Sequence, residues 1–296
     1  MPYCPIGFHT GPGGNPTGIG EYFQRLDNAG RPAVLKSVDA YGFCRELAAL
    51  RQQSGVPHVI VFRLAGGDLE LPDTTLPPEQ AAREHWQRIR AALPPEMEQN
   101  GDQDHVWLEV MNEPDKNQAD WLGRFMVHCG QLALADGFKL CGPGWSTGEP
   151  QPEHWMEPGW LDYLRLCAEN PGRLAVALHE YSLSNDDIMN QDGFLVGRFQ
   201  QLFAVCDAQG IARPEVLITE WGWNATTLPD PTTAMNHIRQ AANLYKQHPQ
   251  ILGAAIWYLG PGFGRIADLA QPLISPVLAY ALGPEWDAGE SGDHPC

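Results

Sequence analysis

Apolar residues along this chain follow two rhythms. Short runs such as VLKSV, HVIVFRL and LAVALHEY alternate with longer stretches in which apolar positions recur every three or four residues. The first rhythm predicts buried strands and the second predicts amphipathic helices packed on them. The strands fall at Ile6–His9, Ala33–Asp39, His58–Leu64, Val106–Asn112, Lys139–Gly142, Leu174–Tyr181, Val216–Glu220 and Gly253–Leu259. Helices are predicted at Gly42–Gln53, Pro78–Leu93, Ala119–Ala135, Trp160–Glu169, Phe194–Gln209, Thr232–Gln247 and Ile274–Leu282. Several begin after turn or capping residues, as at Pro77-Pro78 and Asp230-Pro231-Thr232. Eight such alternations predict a closed (β/α)8 TIM barrel over residues 1–282, a fold that typically takes about 250 residues. A doubly wound open sheet is the rival, but no dinucleotide-type glycine fingerprint follows the first strand. Residues Gly283–Cys296 are polar and acidic, with Gly and Pro, and are expected to form a polar tail or the start of a linker.

In a barrel of this kind the chemistry gathers where strands give way to loops at their carboxyl ends. The predicted strands end in His9, Asp39, Arg63, Asn112-Glu113, His179-Glu180-Tyr181, Glu220-Trp221 and Trp257-Tyr258, and the fifth runs into Trp145. Their opposite ends are mostly Pro, Gly and ordinary polar turn residues. Two strings stand out, LEVMNEP around Glu113 and LITEWGW around Glu220, each delivering a carboxylate at the end of an apolar run. Paired carboxylates of this kind suit glycosidic bond cleavage, where one acts as acid and the other as base or nucleophile. Strand parity places Glu109, Met111 and Glu113 on one face. Glu109 then lies deeper in the barrel, where a carboxylate needs a partner, and Lys36 or Arg63 on neighbouring strands would supply it.

Composition narrows the partners. With 19 basic and 36 acidic residues the net charge is −17, which argues against nucleic acid or an anionic membrane. No apolar run reaches the roughly 18 residues of a membrane span. Ten tryptophans are suited to stacking on sugar faces, with core packing as the plain alternative for each. Seven scattered cysteines without a CxxC pair point away from a zinc site and leave room for one disulfide. The ten histidines show no H-x-H or H-E-x-x-H spacing, so neither a metal nor another cofactor is expected. Ser182 and Ser184 lack a G-x-S-x-G context, and the Gly11-Pro12-Gly13-Gly14 loop lacks the Lys of a phosphate loop. No secretory leader is recognisable. The expected location is extracellular or at the cell surface, with the cytoplasm as the alternative, and the expected state is a monomer.

With these residues in view, the chain resembles the retaining glycoside hydrolases of clan A, over essentially the whole stretch from Ile6 to about Leu282. Members carry an Asn-Glu-Pro motif at the end of strand four and a second Glu at the end of strand seven, matched here by Asn112-Glu113-Pro114 and Glu220. The resemblance implies Glu113 as acid/base and Glu220 as nucleophile. It implies Asn112 as the contact to the substrate 2-hydroxyl, His179 and Tyr181 as the strand-six pair near the nucleophile, and Trp257 as the floor under the reacting sugar. Arg63 would stabilise Glu220, a departure from the family's frequent choice of a strand-two arginine. His9, Asp39, Trp145, Trp221 and Trp223 are candidate subsite contacts.

A retaining pair sits about 5–5.5 Å apart, and ionised Glu220 at that range is expected to raise the pKa of Glu113. The implied activity is cleavage of β-linked glycosides of an oligo- or polysaccharide by double displacement. Aromatic rims around Trp145, Trp155, Trp221 and Trp223 suggest endo action. The alternatives are a barrel that binds carbohydrate without cleaving it, and a metal-dependent hydrolase, which should carry paired histidines on strand one.

Overall fold

The eight apolar runs form eight parallel strands, each hydrogen-bonded to the next, and the last closes on the first. This is a single (β/α)8 barrel, seen in a computed structural model that describes residues 3–191 and 193–286. The strands are β1 Ile6–Thr10, β2 Val34–Val38, β3 Val59–Arg63, β4 Val106–Glu109, β5 Lys139–Trp145, β6 Leu174–Tyr181, β7 Val216–Gly222 and β8 Ile251–Ile256. Around them run α1 Ile19–Asn28, α2 Gly42–Ser54, α3 Pro78–Ala92, α4 Pro95–Gln99, α5 Ala119–Ala135, α6 Pro152–Trp155, α7 Pro158–Glu169, α8 Phe199–Ala208, α9 Pro231–Tyr245, α10 Ile266–Ala270 and α11 Ile274–Ala281.

Strand alternation sorts side chains into two regions. One set, including Phe62, Leu108, Leu140, Leu178 and Ile218, faces outward into a continuous apolar layer beneath the helices. The other faces the barrel axis. There Val34, Val61, Trp107, Cys141, Ala175, Ala177 and Leu217 form a compact apolar plug. Two residues further along the same strands, Lys36, Arg63, Glu109, His179 and Thr219 are buried as well. The inward face therefore changes from apolar to charged towards the carboxyl ends.

Helix starts follow local chemistry. Asp230 caps α9 by accepting the N–H groups of Thr232 and Thr233 at 2.9 and 3.2 Å, and Pro231 takes the first helical position, where no N–H is needed. The close approach of α5 to α7 needs glycine, because a Cβ on Gly123 would lie 2.3 Å from the carbonyl carbon of Gly159.

Three expectations need adjusting. Eight strand–helix alternations call for a helix between β1 and β2 that the sequence pattern does not locate; α1 fills that place, burying Ile19, Tyr22, Phe23 and Leu26 at helical spacing. Its entry through Gly18, at φ 97°, follows a Gly/Pro-rich stretch that hides the periodicity. Gly283–Trp286, expected in the polar tail, instead forms a short turn that buries Trp286 edge-on against Tyr280 at 5.4 Å. The remainder of that tail, 287–296, lies outside the described residues. The disulfide left open does not form among the described residues: Cys4, Cys44, Cys129, Cys141, Cys167 and Cys206 are buried and free, and Cys296 lies outside that set. No described helix is long and apolar enough to cross a membrane.

Candidate active site

Glu220 enters the barrel through a bulge. Leu178 pairs with Ile218 but His179 pairs with Glu220, so β7 carries one extra residue between these pairs. Alternation would send neighbours to opposite faces, whereas the bulge lets both Thr219 and Glu220 turn inward. Thr219 Oγ1 donates to Glu109 Oε1. Glu220 receives a donor on each oxygen, Lys36 Nζ on Oε1 at 3.3 Å and the Tyr181 hydroxyl on Oε2 at 2.8 Å. Arg63 Nη2 stands 3.6 Å and His9 Nε2 3.8 Å from Oε1. Burial and the charge of Glu220 push the Tyr181 hydroxyl well above its usual range, so it remains a donor. Two cations and a phenol fix this carboxylate in orientation, as a nucleophile requires.

Glu113 gets there differently. β4 ends at Glu109, so strand parity does not carry to Glu113; a turn does, with Glu113 at φ 44°. That left-handed conformation costs a non-glycine residue about 1–2 kcal/mol. The Glu113 N–H is tied to the carbonyl of Gly144 at 2.9 Å. Its side chain is 40% exposed, and Oε1 lies 2.9 Å from His179 Nδ1. Hydrogen bonding from His179 outweighs partial burial and holds Glu113 below the usual carboxylate range. This differs from the expectation that Glu220 raises it, because the closest charged neighbour is the imidazole. Burial disfavours a charged His179, but Glu220 and the contacts to Glu109 and Glu113 prevail and raise it above its ordinary value.

Beneath both glutamates sits Glu109, 3% exposed. Its Oε2 pairs with Lys36 Nζ and lies 3.4 Å from Arg63 Nε, while Oε1 is 3.8 Å from His179 Nε2, an ion-pair distance rather than a hydrogen bond. Burial alone would raise this carboxyl, yet Lys36, His179 and Arg63 hold it well below the usual range. Sequence reasoning offered Lys36 or Arg63 as its partner, and both serve.

A cavity of about 350 Å³ opens over this layer. Of the predicted residues, His9, Arg63, Asn112, Glu113, Tyr181, Glu220 and Trp257 line it, and His179 lies directly behind Glu113. His9 packs against Trp257 and Tyr258 at 4.9 and 5.1 Å, and neither ring nitrogen has a hydrogen-bond partner among the described residues. Burial and the nearby charges of Lys36 and Arg63 keep its imidazole neutral, well below its ordinary pKa. Both nitrogens are buried in the cavity wall and, among the described residues, unsatisfied.

Other candidates lie elsewhere. Trp145 and Trp221 are fully buried in the outer layer, Trp145 against Trp160 at 5.4 Å and Trp221 against Trp223 at 5.1 Å. The register shift before Trp145 aligns it with outward Leu178, and Trp221 follows inward Glu220 and so faces out. Trp155 and Trp223 are buried too, which removes the expected aromatic rim. Asp39 is exposed, at φ 56°, and its carboxylate accepts the Ala65 N–H at 2.8 Å, linking the loops after β2 and β3 rather than lining the cavity.

The structure adds Glu70, Tyr258 and Phe263 to the lining. Glu70 Oε1 accepts from Asn112 Nδ2 at 3.4 Å and faces Arg63 Nη1 at 3.5 Å. Phe263, half exposed, stands edge-on to Trp257 at 5.0 Å. Neither residue sits at a strand end, so the strand-end rule passes over both. The Trp257-Tyr258 dipeptide did carry a signal for Tyr258.

Glu113, His179 and Glu220 each place a ligand-capable atom within 4.8 Å of the others, close enough for a small cation to bridge. Lys36 and Arg63 already bring positive charge to Glu220, and the imidazole of His179 is engaged by Glu113 at 2.9 Å. The cluster is neutralised from within, which opposes a metal ion there.

No protein-family profile and no curated protein matches the chain. Solved structures do. A GH5-4 broad specificity endoglucanase from Clostridium acetobutylicum superposes with a TM-score of 0.54 at 12% identity, covering 93% of this chain and 97% of that one. A protein from Neocallimastix frontalis gives 0.50 at 15%, covering 90% of this chain, which spans only 64% of its length. A GH128 endo-beta-1,3-glucanase from Pseudomonas viridiflava gives 0.43 at 14%, covering 93% and 98%. Aldo-keto reductase barrels match at similar scores, for instance 0.43. At these identities the likeness establishes the barrel and not the activity.

Proposed function

We propose that this chain is a retaining glycoside hydrolase of the clan A type, acting on β-linked oligo- or polysaccharides. One observation carries the reading: a Glu113 oxygen and a Glu220 oxygen within 4.8 Å of each other, near the about 5–5.5 Å expected of a retaining pair. The donors support the division of labour. Glu220, clamped by Lys36 and Tyr181, attacks the anomeric carbon while the bond to the leaving oxygen breaks. The proton for that oxygen comes from the Glu113–His179 pair. In the free site this pair favours imidazolium beside carboxylate. A sugar covering the exposed Glu113 carboxyl removes water from it, which favours the neutral acid and moves the proton onto Glu113. After the glycosyl-enzyme forms, Glu113 accepts a proton from the incoming water.

Trp257 offers a stacking face for the reacting sugar, with His9 packed against it. Phe263 adds an aromatic surface beside it, which supports action on a chain of sugars rather than a single unit. The buried tryptophans give no support to a long cleft, so product lengths must decide between endo and exo cleavage.

The test is reducing-sugar release from a panel of soluble β-glycans, with Glu220→Gln as the blank. Release by the wild type and none by the variant is the expected result. Glu113→Gln should lose about 10²–10⁴-fold on alkyl glycosides and far less on activated aryl glycosides, since only the acid step senses the leaving group. Equal losses on both would remove Glu113 from the acid role. Binding of a glycan without any cleavage by the wild type would instead favour a carbohydrate-binding barrel.

A further inference from the structure

Glu109 touches neither the cavity nor the other two carboxylates, yet each cation that reaches a catalytic carboxylate also reaches Glu109. Lys36 spans Glu109 Oε2 and Glu220 Oε1, and Arg63 does the same from β3. His179 spans Glu109 Oε1 through Nε2 and Glu113 Oε1 through Nδ1. His179 Nδ1 also lies 3.5 Å from Glu220 Oε2, so it faces both catalytic carboxylates directly, and Glu109 is the one buried anion that all three cations share. The enclosure around it is built for that anion. Thr219, turned inward by the β7 bulge, donates to Oε1. On β5, Gly144 leaves the remaining space, since a Cβ there would stand 2.9 Å from Glu109 Oε1 and 3.2 Å from His179 Nε2. The other titratable groups facing it are Cys141 on β5, whose thiol burial keeps protonated, and His9 on β1, which is neutral.

We propose that Glu109 is a positioning residue, the shared buried anion that holds Lys36 and Arg63 against Glu220 and keeps His179 charged between Glu113 and Glu220. The proposal rests on the assignment of Glu113 and Glu220 above. Its physical content is a charge count. With Glu109 ionised, Lys36, Arg63 and the imidazolium of His179 are matched by Glu109, Glu220 and Glu113, so the imidazolium adds no uncompensated charge. With Glu109 neutral, two buried cations face His179 with one anion fewer, and His179 should release its proton at lower pH. The proton stored for the leaving group would then be lost earlier.

The test is a proton titration of His179 by NMR, together with the pH profile of kcat/KM, in three full-length variants. Glu109→Gln should move the His179 midpoint, and the basic limb of activity, down by about one pH unit, so that activity above that limb falls about tenfold. Lys36→Met should move the midpoint up. Lys36→Met/Glu109→Gln, which removes a matched pair and leaves no new uncompensated charge, should bring it back towards the wild-type value, and it serves if the single variant does not fold.

A role confined to stability would lower the melting temperature and leave the midpoints where they were, which overturns the proposal. So would a midpoint in the double variant displaced as far as in Glu109→Gln. If the wild type cleaves no glycan but the midpoints move as stated, the electrostatic coupling holds and the glycosidase assignment falls.

Discussion

Two buried glutamates, one on each side of the barrel wall, show what separates its two regions. Glu109 points into the barrel and Glu180 points out, beneath α8 and α9, and neither is more than 3% exposed. Burial penalises both carboxylates alike. Glu109 meets Lys36, Arg63 and His179 and stays ionised well below the usual range. Glu180 meets the N–H groups of Gly197 and Phe199 and the hydroxyl of Tyr245, and burial pushes it up to about 7. Around Glu180, polar donors and the charge of Arg198 soften the cost of burial without reversing it, whereas the cations packed on Glu109 reverse it. The inner region is a matched set of ions beneath the cavity. The outer region is an apolar layer serving stability, with its few polar groups tied to backbone.

Gly144 stands on the border between the two, and altering it should have the largest effect. It takes φ 68° at the β5 register shift, ties Glu113 through its carbonyl and turns Trp145 into the outer layer. A Cβ there meets Glu109 and His179 at the same time. Gly144→Ala should cut kcat/KM by about 10²-fold or more through displacement of the acid, a sensitivity typical of sub-ångström positioning. Activity within threefold of wild type would show that the border tolerates movement and that the inner cluster is not rigid.

Trp145→Ala tests the opposite side of the same boundary. Trp145 is wholly buried against Trp160 and touches none of the catalytic groups. Its truncation should cost about 3–5 kcal/mol of stability, measured by denaturant unfolding. In the folded fraction kcat/KM should change by less than about threefold. A large loss of kcat/KM at full folding would make Trp145 part of the site after all, as the strand-end rule first suggested.

That rule shows how far the sequence could be read. The period-two runs were enough for eight strands in a closed barrel, because each inward position had to be filled and each outward one covered. Glu113, Glu220, His179 and Tyr181 were legible for the same reason, as polar residues where apolar strands end. What alternation could not supply was direction after a bulge or a left-handed residue. Trp145 and Trp221 each lie one residue beyond such a break, and Glu113 arrives by a turn rather than by parity. Glu70 and Phe263 come from loops whose paths depend on packing, and α1 was hidden by the glycines and prolines before it. The pKa of Glu113 was misjudged because its sign is set by His179, a neighbour in space 66 residues away in sequence.

Glu180→Gln is the gentlest probe of the contrast, and its sign can be worked out. Burial raises the folded carboxyl to about 7, against an ordinary value of 4.5. A raised folded pKa means that the native state binds the proton more tightly. The stability it confers is complete below pH 4.5 and is lost as pH rises to about 7, by on the order of 3 kcal/mol. Glutamine cannot ionise, so the variant lacks this slope. It carries a constant penalty instead, because its amide group presents a donor to the donors around it. The stability gap between wild type and Glu180→Gln should therefore be widest near pH 4.5 and narrow towards pH 7. Chemical denaturation at several pH values measures it directly. A gap that stays constant would mean that Glu180 is ionised throughout, and that the outer layer holds a charge as readily as the inner one.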